Sequence, residues 1–372
     1  MILGLRLENF RSYEHLELAV PPGQFVFLIG PNGAGKTNLL EALSLLGGGR
    51  GLRGSDARDL IRYGHEGTPA WVVQGQVSKP PLRHTINRAL TSDGKLSRLD
   101  GKPATGAALA SLMPIVSLTP ADDALFRGSS EDRRSLLDRF VVSMYPDHRG
   151  QLVAFNKALR ERNRLLRSAA NQSEKADPAW LSGLEALMAS HGVAVAHARR
   201  IYLAQLATAV AQGVGPFPSA GLALRGRMEA ALEVHTAPEV ETDWIKHWAT
   251  NRSADLAAGR TLEGPHRTDL AVTLLDKSMP AQQCSTGEQK ALLLSLFLGQ
   301  ARLLQAAKIR PLMLLDELAA HLDIRRLEAL MEELTNLAAQ TWITGTDRSP
   351  LVVPQVEDKS SVFMLENGAL NL

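Results

Sequence analysis

An apolar run, Phe25-Val-Phe-Leu-Ile29, leads straight into Gly30-Pro-Asn-Gly-Ala-Gly-Lys36-Thr37, and helically spaced residues Asn38 to Leu46 follow. A strand, a glycine-rich turn and a helix in that order leave few folds open. The turn has to sit at the carboxyl end of a strand in an α/β sheet. Gly30, Gly33 and Gly35 allow successive backbone N–H groups to converge on phosphate oxygens. The helix offers its positive N-terminus to the same anion. Lys36 can reach the β- and γ-phosphates of a nucleotide, and the Thr37 hydroxyl can bind Mg²⁺. Gly30, Pro31, Asn32, Gly33, Ala34, Gly35, Lys36, Thr37 and Asn38 are therefore expected nucleotide contacts. A chance glycine-rich turn is the competing reading, and the flanking strand and helix disfavour it.

The rest of such a site stands near the other end of the chain. Leu312-Met-Leu-Leu315 is apolar without alternation, as in a central parallel strand, and it ends in Asp316-Glu317. Alone, that pair reads equally as a surface acidic pair. With the phosphate loop upstream, Asp316 is expected to share Mg²⁺ with Thr37, and Glu317 to polarise the attacking water. Ser285-Thr286-Gly287-Glu288-Gln289 opens the helix before that strand. Ser285 and Glu288 fit a plain capping box, which is compatible with a glycine-containing helix start that cradles a γ-phosphate.

Signature, helix and Asp-Glu strand, in that order after a phosphate loop, is the order of an ABC-class ATPase, a class that works as head-to-head dimers. At 372 residues, 45% apolar, the chain allows one large or two moderate domains. The expected fold is α/β, an ABC-type ATPase head with mixed sheets, split between residues 1–120 and 258–372. A mainly helical lobe, 121–257, is inserted. Within the head, residues 1–29 read as two strands joined at Pro21-Pro22-Gly23, residues 70–99 as a second sheet, and Leu112 to Leu118 as a strand. Arg133 to Met144, Gln151 to Ala170, Trp180 to Gly213 and Pro238 to Ala258 read as helices, the middle two as a hairpin joined by polar residues 171–178. A single cysteine, Cys284, excludes an internal disulfide. No apolar stretch approaches the roughly 20 residues of a membrane span, and the opening residues lack the pattern of a signal peptide. The expected location is the cytoplasm.

Further blocks narrow the class. The opening Leu5-Arg-Leu-Glu-Asn-Phe-Arg-Ser-Tyr13, Leu118-Thr-Pro120 with Arg133-Arg134 and Leu137-Asp138, Gly264-Pro-His-Arg-Thr-Asp-Leu270, His321-Leu-Asp323 and Thr344-Gly-Thr-Asp347 stand in order around the ATPase motifs. Together they resemble the RecF family of bacterial recombination mediators, ABC-type ATPases related to SMC heads. The resemblance implies DNA repair, replication-fork recovery and the SOS response. It implies an ATP-dependent homodimer that binds duplex, gapped or single-stranded DNA, partnership with RecR and RecO in recombinase loading, and slow, DNA-stimulated ATP hydrolysis. Thr344 takes the place of the transporter switch histidine, and Asp323 is expected to face the opposing subunit. No glutamine lies between Leu112 and Asp123, so that switch position is unassigned.

Lys157, Arg160, Arg164 and Arg167 share one helical face and are the candidate DNA contacts, with Arg162 and Arg199-Arg200 adding charge nearby. A solvated helix face is the alternative. Few aromatics lie beside these arginines in sequence, which favours DNA held by its backbone over stacked single strands. His266 and Arg267 read either as polar residues near the nucleotide or the dimer seam, or as structural loop residues. Two competing functions are a transporter ATPase subunit, which would carry the missing glutamine and histidine, and a non-hydrolysing SMC-like clamp, which would need longer coiled-coil arms.

Overall fold

The computed structural model describes the chain except for residues 171–176, 214, 318–321, 338, 347–355, 357, 367–368 and 372. His321 and Asp347 of the motif series lie outside the described residues. The chain forms two compact units: Met1–Ala124 with Gly213–Phe217 and Leu293–Leu372, and Leu125–Gln212 with Pro218–Leu292. Residues 258–292, read from sequence with the head, cluster in the second unit, because a strand within them pairs with a strand at 220–225.

In chain order the first unit opens with β1 (Ile2–Phe10), β2 (Tyr13–Ala19), β3 (Phe25–Ile29) and α1 (Lys36–Leu46). Then come β4 (Trp71–Lys79), β5 (Leu82–Thr91), β6 (Gly94–Leu99), β7 (Lys102–Pro103), α2 (Gly106–Leu112) and β8 (Ile115–Leu118). The second unit carries α3 (Ser130–Met144), α4 (His148–Ala170), α5 (Pro178–Val210), β9 (Ala220–Arg225), α6 (Arg227–Val234), α7 (Ala237–Thr250) and α8 (Arg252–Ala258). It continues with β10 (Asp269–Leu274) and β11 (Met279–Pro280); α9 (Thr286–Ala306) starts in it and ends in the first. The chain closes with β12 (Leu312–Leu315), α10 (Ile324–Asn336), β13 (Gln340–Gly345), β14 (Ser360–Glu366) and β15 (Ala369–Asn371).

The N-terminal 29 residues make three strands where the sequence reads as two. The turn at Arg11-Ser12 has no glycine or proline to mark it. Asn9 and Arg11 take left-handed φ values of 50° and 53° instead. β1 and β2 join β4 to β7 in an antiparallel sheet ordered β2-β1-β4-β5-β6-β7, and the second sheet runs β15-β14-β3-β13-β12-β8. In the latter, β14, β3, β13, β12 and β8 are parallel, which puts the carboxyl ends of β3, β12 and β13 side by side. One core fills the unit, joining Leu7, Phe10, Leu16 and Trp71 of the first sheet, Leu39, Leu43 and Leu46 of α1, and Leu314, Trp342 and Phe363 of the second.

In the second unit β9, β10 and β11 form a small antiparallel sheet, and α4 packs against α5 as a long hairpin. Phe155, Met188, Val193, Met228, Trp244 and Trp248 make its core. The helix read over 238–258 is two, α7 and α8, broken at Asn251, which caps both. Arg162, read as charge added beside the candidate DNA contacts, is completely buried and paired with Glu185 at 3.1 Å and Asp255 at 2.7 Å. Arg199 is likewise buried, bound to Asp138 at 2.8 Å. Breaking such a buried pair by removing one partner costs about 3–5 kcal/mol. Among the described residues no helix is long and apolar enough to cross a membrane.

Candidate nucleotide site

β3 is buried along its whole length and delivers the chain to the loop at the sheet's carboxyl edge. The Gly30 amide donates to the Gly345 carbonyl at 3.2 Å, and a Cβ on Gly30 would stand 2.2 Å from the Leu365 carbonyl oxygen, so only glycine fits against β14 there. Gly35, at φ 100°, turns the chain into α1, whose first N–H groups have no partner within the helix. The loop folds over its own lysine: Lys36 Nζ donates to the Gly30 carbonyl at 2.6 Å and the Pro31 carbonyl at 2.9 Å. Burial pulls the Lys36 ammonium below its usual range, and the nearby Glu317 and Asp316 charges oppose that shift.

The acidic strand end completes the arrangement through register. Leu315 pairs with Ile343 and Thr344 pairs with Leu28, so Asp316, Thr344 and the phosphate loop meet at one edge. The Thr37 hydroxyl donates to Asp316 Oδ1 at 3.0 Å. The fully buried Thr344 hydroxyl donates to the same oxygen at 2.7 Å and accepts the Glu317 amide at 2.8 Å. That bond holds Glu317 at φ 49°, a left-handed conformation that costs a non-glycine residue about 1–3 kcal/mol. Thr344 thus has its hydroxyl engaged by the Asp316 carboxylate and the Glu317 backbone amide.

Mg²⁺ can be tested against these oxygens. An octahedral ion with metal–oxygen distances of about 2.1 Å has adjacent ligands about 3 Å apart. Thr37 Oγ1 and Asp316 Oδ1 have that separation, and both are hard oxygens, so the pair fits Mg²⁺ as two neighbouring ligands.

The side chains that brace the loop and α1, Asn38 apart, escape sequence reading. The Tyr13 hydroxyl donates to the Gly35 carbonyl at 3.1 Å, buried under the loop, and burial raises its ionisation well above the usual tyrosine range. Arg11 grips Glu41 of α1 with Nε at 2.9 Å and Nη2 at 3.0 Å, and Arg53 adds a contact to Glu41 at 3.2 Å. Asn38 donates to the Ser12 hydroxyl at 3.0 Å and accepts from Arg53 at 3.1 Å. These contacts pin the β1–β2 turn onto α1. The only trace in sequence is the Arg11-Ser12-Tyr13 triplet of the opening block.

The signature lies in the second unit. The Glu288 carboxylate accepts the Ser285 amide and hydroxyl, both at 2.8 Å, completing the expected capping box. Lys277 pairs with Glu288 at 2.5 Å. Its bond, then those of Ser285, hold the Glu288 carboxyl down at about 2. Ser285, Thr286 and Gly287 are exposed, Thr286 Oγ1 accepts from Arg127, and Gln289 is buried on the Ala281 carbonyl at 2.8 Å. Cys284 is buried, and burial pushes its thiol up, away from reactivity. Asp323 is exposed and caps α10, accepting the Arg326 amide at 2.9 Å.

Of the candidate DNA residues, Lys157, Arg160, Arg164 and Arg167 are all exposed on α4. Arg164 also pairs with Glu161 at 2.9 Å and lies over the ring of Trp180, 5.8 Å from its centroid. An aromatic does stand beside the stripe, delivered by α5.

A phosphate loop after β3 with Asp-Glu at the end of β12, one strand removed in the same sheet, beside a second sheet, defines an ATPase head of the ABC type. The chain matches the RecF/RecN/SMC N terminal domain family over residues 1–371. It is 44% identical over 364 residues to DNA replication and repair protein RecF of Caulobacter sp. (strain K31), covering 94% of this chain and 92% of that protein. It is 42% identical over 354 residues to its counterpart in Mesorhizobium japonicum, covering 93% and 91%. The chain belongs to the RecF family. Among solved structures, the recombination mediator RecF-ATPrS of the RecFOR pathway superposes with a TM-score of 0.84 at 23% identity, over 100% of this chain and 97% of that one. The Smc head of Pyrococcus furiosus bound to the C-terminal domain of ScpA superposes at 0.53 and 17% identity, over 100% and 95%.

Proposed function

We propose that this chain is an ATP-gated DNA-binding protein of recombinational repair, acting in the cytoplasm with RecR- and RecO-type partners. The observation that carries the reading is the hydrogen-bonded chain Thr37–Asp316–Thr344–Glu317, which fixes a metal-binding pair and a base at the end of one sheet beside Lys36. Gly30 to Asn38 wrap the phosphates, and Lys36 exchanges its loop carbonyls for phosphate oxygens. Thr37 and Asp316 would hold Mg²⁺, which when bound would neutralise charge on the β- and γ-phosphates. Glu317 orients water and takes its proton, and Thr344 positions Glu317 through its amide. Functionally, residues 258–292 belong with the head, since they carry the signature.

Ser285 to Gln289 act in trans: the exposed Ser285 hydroxyl and Gly287 amide of one head meet the γ-phosphate held by another, with Asp323 facing the partner. ATP then joins two heads, and two α4 ridges carrying Lys157, Arg160, Arg164 and Arg167 engage one DNA by avidity. Hydrolysis resets the clamp. Support comes from relatives named DNA replication and repair protein RecF, and from similar folds described as RecF-ATP and RecF-ATPrS in the RecFOR pathway. The test is ATPase rate and sedimentation with and without gapped duplex DNA. ATP-dependent dimers and DNA-stimulated turnover are expected; a chain that stays monomeric with ATP at every protein concentration overturns the clamp.

A further inference from the structure

The Gly264-Pro265-His266-Arg267 turn takes no part in the chemistry above. It borders a cavity of about 340 Å³ lying wholly within the second unit, onto which Arg134 of α3, Arg199 of α5 and Arg267 all converge. Two of the three retain donors. Arg199 is committed: Nε and Nη2 each bind Asp138 at 2.8 Å, and Nη1 binds the Pro265 carbonyl at 2.7 Å and pairs with Glu229 at 3.5 Å. Asp138 is committed in return, with His148 adding a contact at 2.9 Å. Arg134 uses Nη1, on the Thr268 carbonyl at 2.7 Å and the Ser130 hydroxyl at 3.4 Å. Arg267 is exposed, and its guanidinium has no hydrogen-bond or ion-pair partner among the described residues. Glu131 is the remaining carboxylate on the cavity wall.

Arg199 thus has two carboxylate partners, Asp138 and Glu229, while the two guanidiniums that retain donors share the cavity wall with one further carboxylate, Glu131. Arg134 is pulled below its usual range by burial and then by repulsion from Arg199, with Glu131 and Asp138 opposing the shift and Arg267 adding to it. His266 is driven down to about 4 by burial, with both Arg267 and Arg134 contributing, so at pH 7 the ring is neutral. Its Nε2–H donates to the Thr261 carbonyl at 3.1 Å, while its face lies against Phe155. The histidine shapes the turn and adds no charge. Unused guanidinium donors on two arginines beside a single carboxylate, in a concave and partly desolvated place, suit an entering anion, and planar guanidinium forks match the oxygens of a phosphate.

We propose that this cavity binds a phosphate group, with Arg134 and Arg267 as its ligands and Arg199–Asp138 as the rigid floor that positions them. The group comes either from the DNA backbone or from free phosphate. The first source rests on the DNA-binding reading above; the second does not.

The test compares wild type, Arg267→Gln and Arg310→Gln. Arg310 is an exposed arginine of the first unit and controls for loss of one charge. Each protein is titrated with a blunt duplex oligonucleotide across a salt series, and separately with inorganic phosphate, with ATP affinity and Tm measured alongside. Arg267→Gln is expected to weaken duplex binding about five- to tenfold and to reduce the salt slope by about one, with ATP affinity unchanged. Arg310→Gln leaves duplex binding within about twofold. If only the inorganic phosphate response is lost in Arg267→Gln, the site stands with free phosphate as its ligand. If Arg267→Gln changes neither titration, if Arg310→Gln matches its effect, or if wild type binds neither probe, the proposal is overturned. Failure of the clamp alone would appear as a missing ATP dependence in all three proteins.

Discussion

The two ends of the nucleotide chemistry are built on opposite plans. At the phosphate loop, Lys36, Asp316 and Thr344 are at most 5% exposed, and each polar group answers another within 3.0 Å. At the signature, Ser285, Thr286 and Gly287 face outward, and a Cβ on Gly287 would meet nothing within 4 Å. The first arrangement is internally satisfied: Thr37, Asp316, Thr344 and the Glu317 backbone are held by one another, and Lys36 by its own loop. The second is a capped helix start with open surface, the form expected of half a site that another surface completes. The contrast is between polar groups that satisfy one another inside the fold and polar groups left facing solvent, and the proposed clamp assigns bond-breaking to the first and partner contact to the second.

Substitutions can break or sharpen this contrast. The largest expected effect is at Glu317. Glu317→Gln should keep ATP affinity while lowering single-turnover hydrolysis about 10²- to 10⁴-fold, and the ATP-bound dimer should accumulate. Unchanged turnover would move the base to another residue and remove the reason for the left-handed backbone at 317. Next is Lys36→Ala, which removes two buried charge-assisted bonds and should cost about 3 kcal/mol of nucleotide affinity, roughly 100-fold by calorimetry. Wild-type affinity there would sink the assignment of the internally satisfied half.

Ser285→Arg probes the open half. It should leave ATP binding to the monomer within about twofold yet block dimerisation in sedimentation, and duplex affinity should fall about tenfold with the loss of avidity. A variant that stays monomeric with ATP but binds DNA like wild type would show that α4 works alone. The smallest effect is on the cap itself. The folded Glu288 carboxyl sits at about 2, below its unfolded value. A depressed carboxyl contributes stability above its unfolded pKa and loses it as pH falls through the folded one. Amide exchange at the start of α9 should therefore stay slow at neutral pH and accelerate between about pH 4.5 and 2. Acceleration at neutral pH would mean that the cap does not hold the signature.

Sequence alone determined the parts whose chemistry is local. The loop, the Asp-Glu strand end and the Ser285–Glu288 cap are contiguous, and their residue types leave little freedom, so class and family are readable along the chain. Periodicity likewise located the α4–α5 hairpin and the exposed ridge Lys157, Arg160, Arg164 and Arg167. It gave the helical face of each charge but not its environment. Arg162 and Arg199 read as charge added near the ridge and are buried, because Glu185, Asp255 and Asp138 arrive from elsewhere in the fold. Trp180 reaches Arg164 only through hairpin packing. The turn at Arg11-Ser12 carries no glycine or proline, so the hairpin that fastens Tyr13 under Gly35 was invisible. Above all, Thr344 joins Asp316 and Glu317 because β13 lies between β3 and β12. Strand order and register are long-range properties, fixed by how two sheets share one core around α1, and no local pattern encodes them.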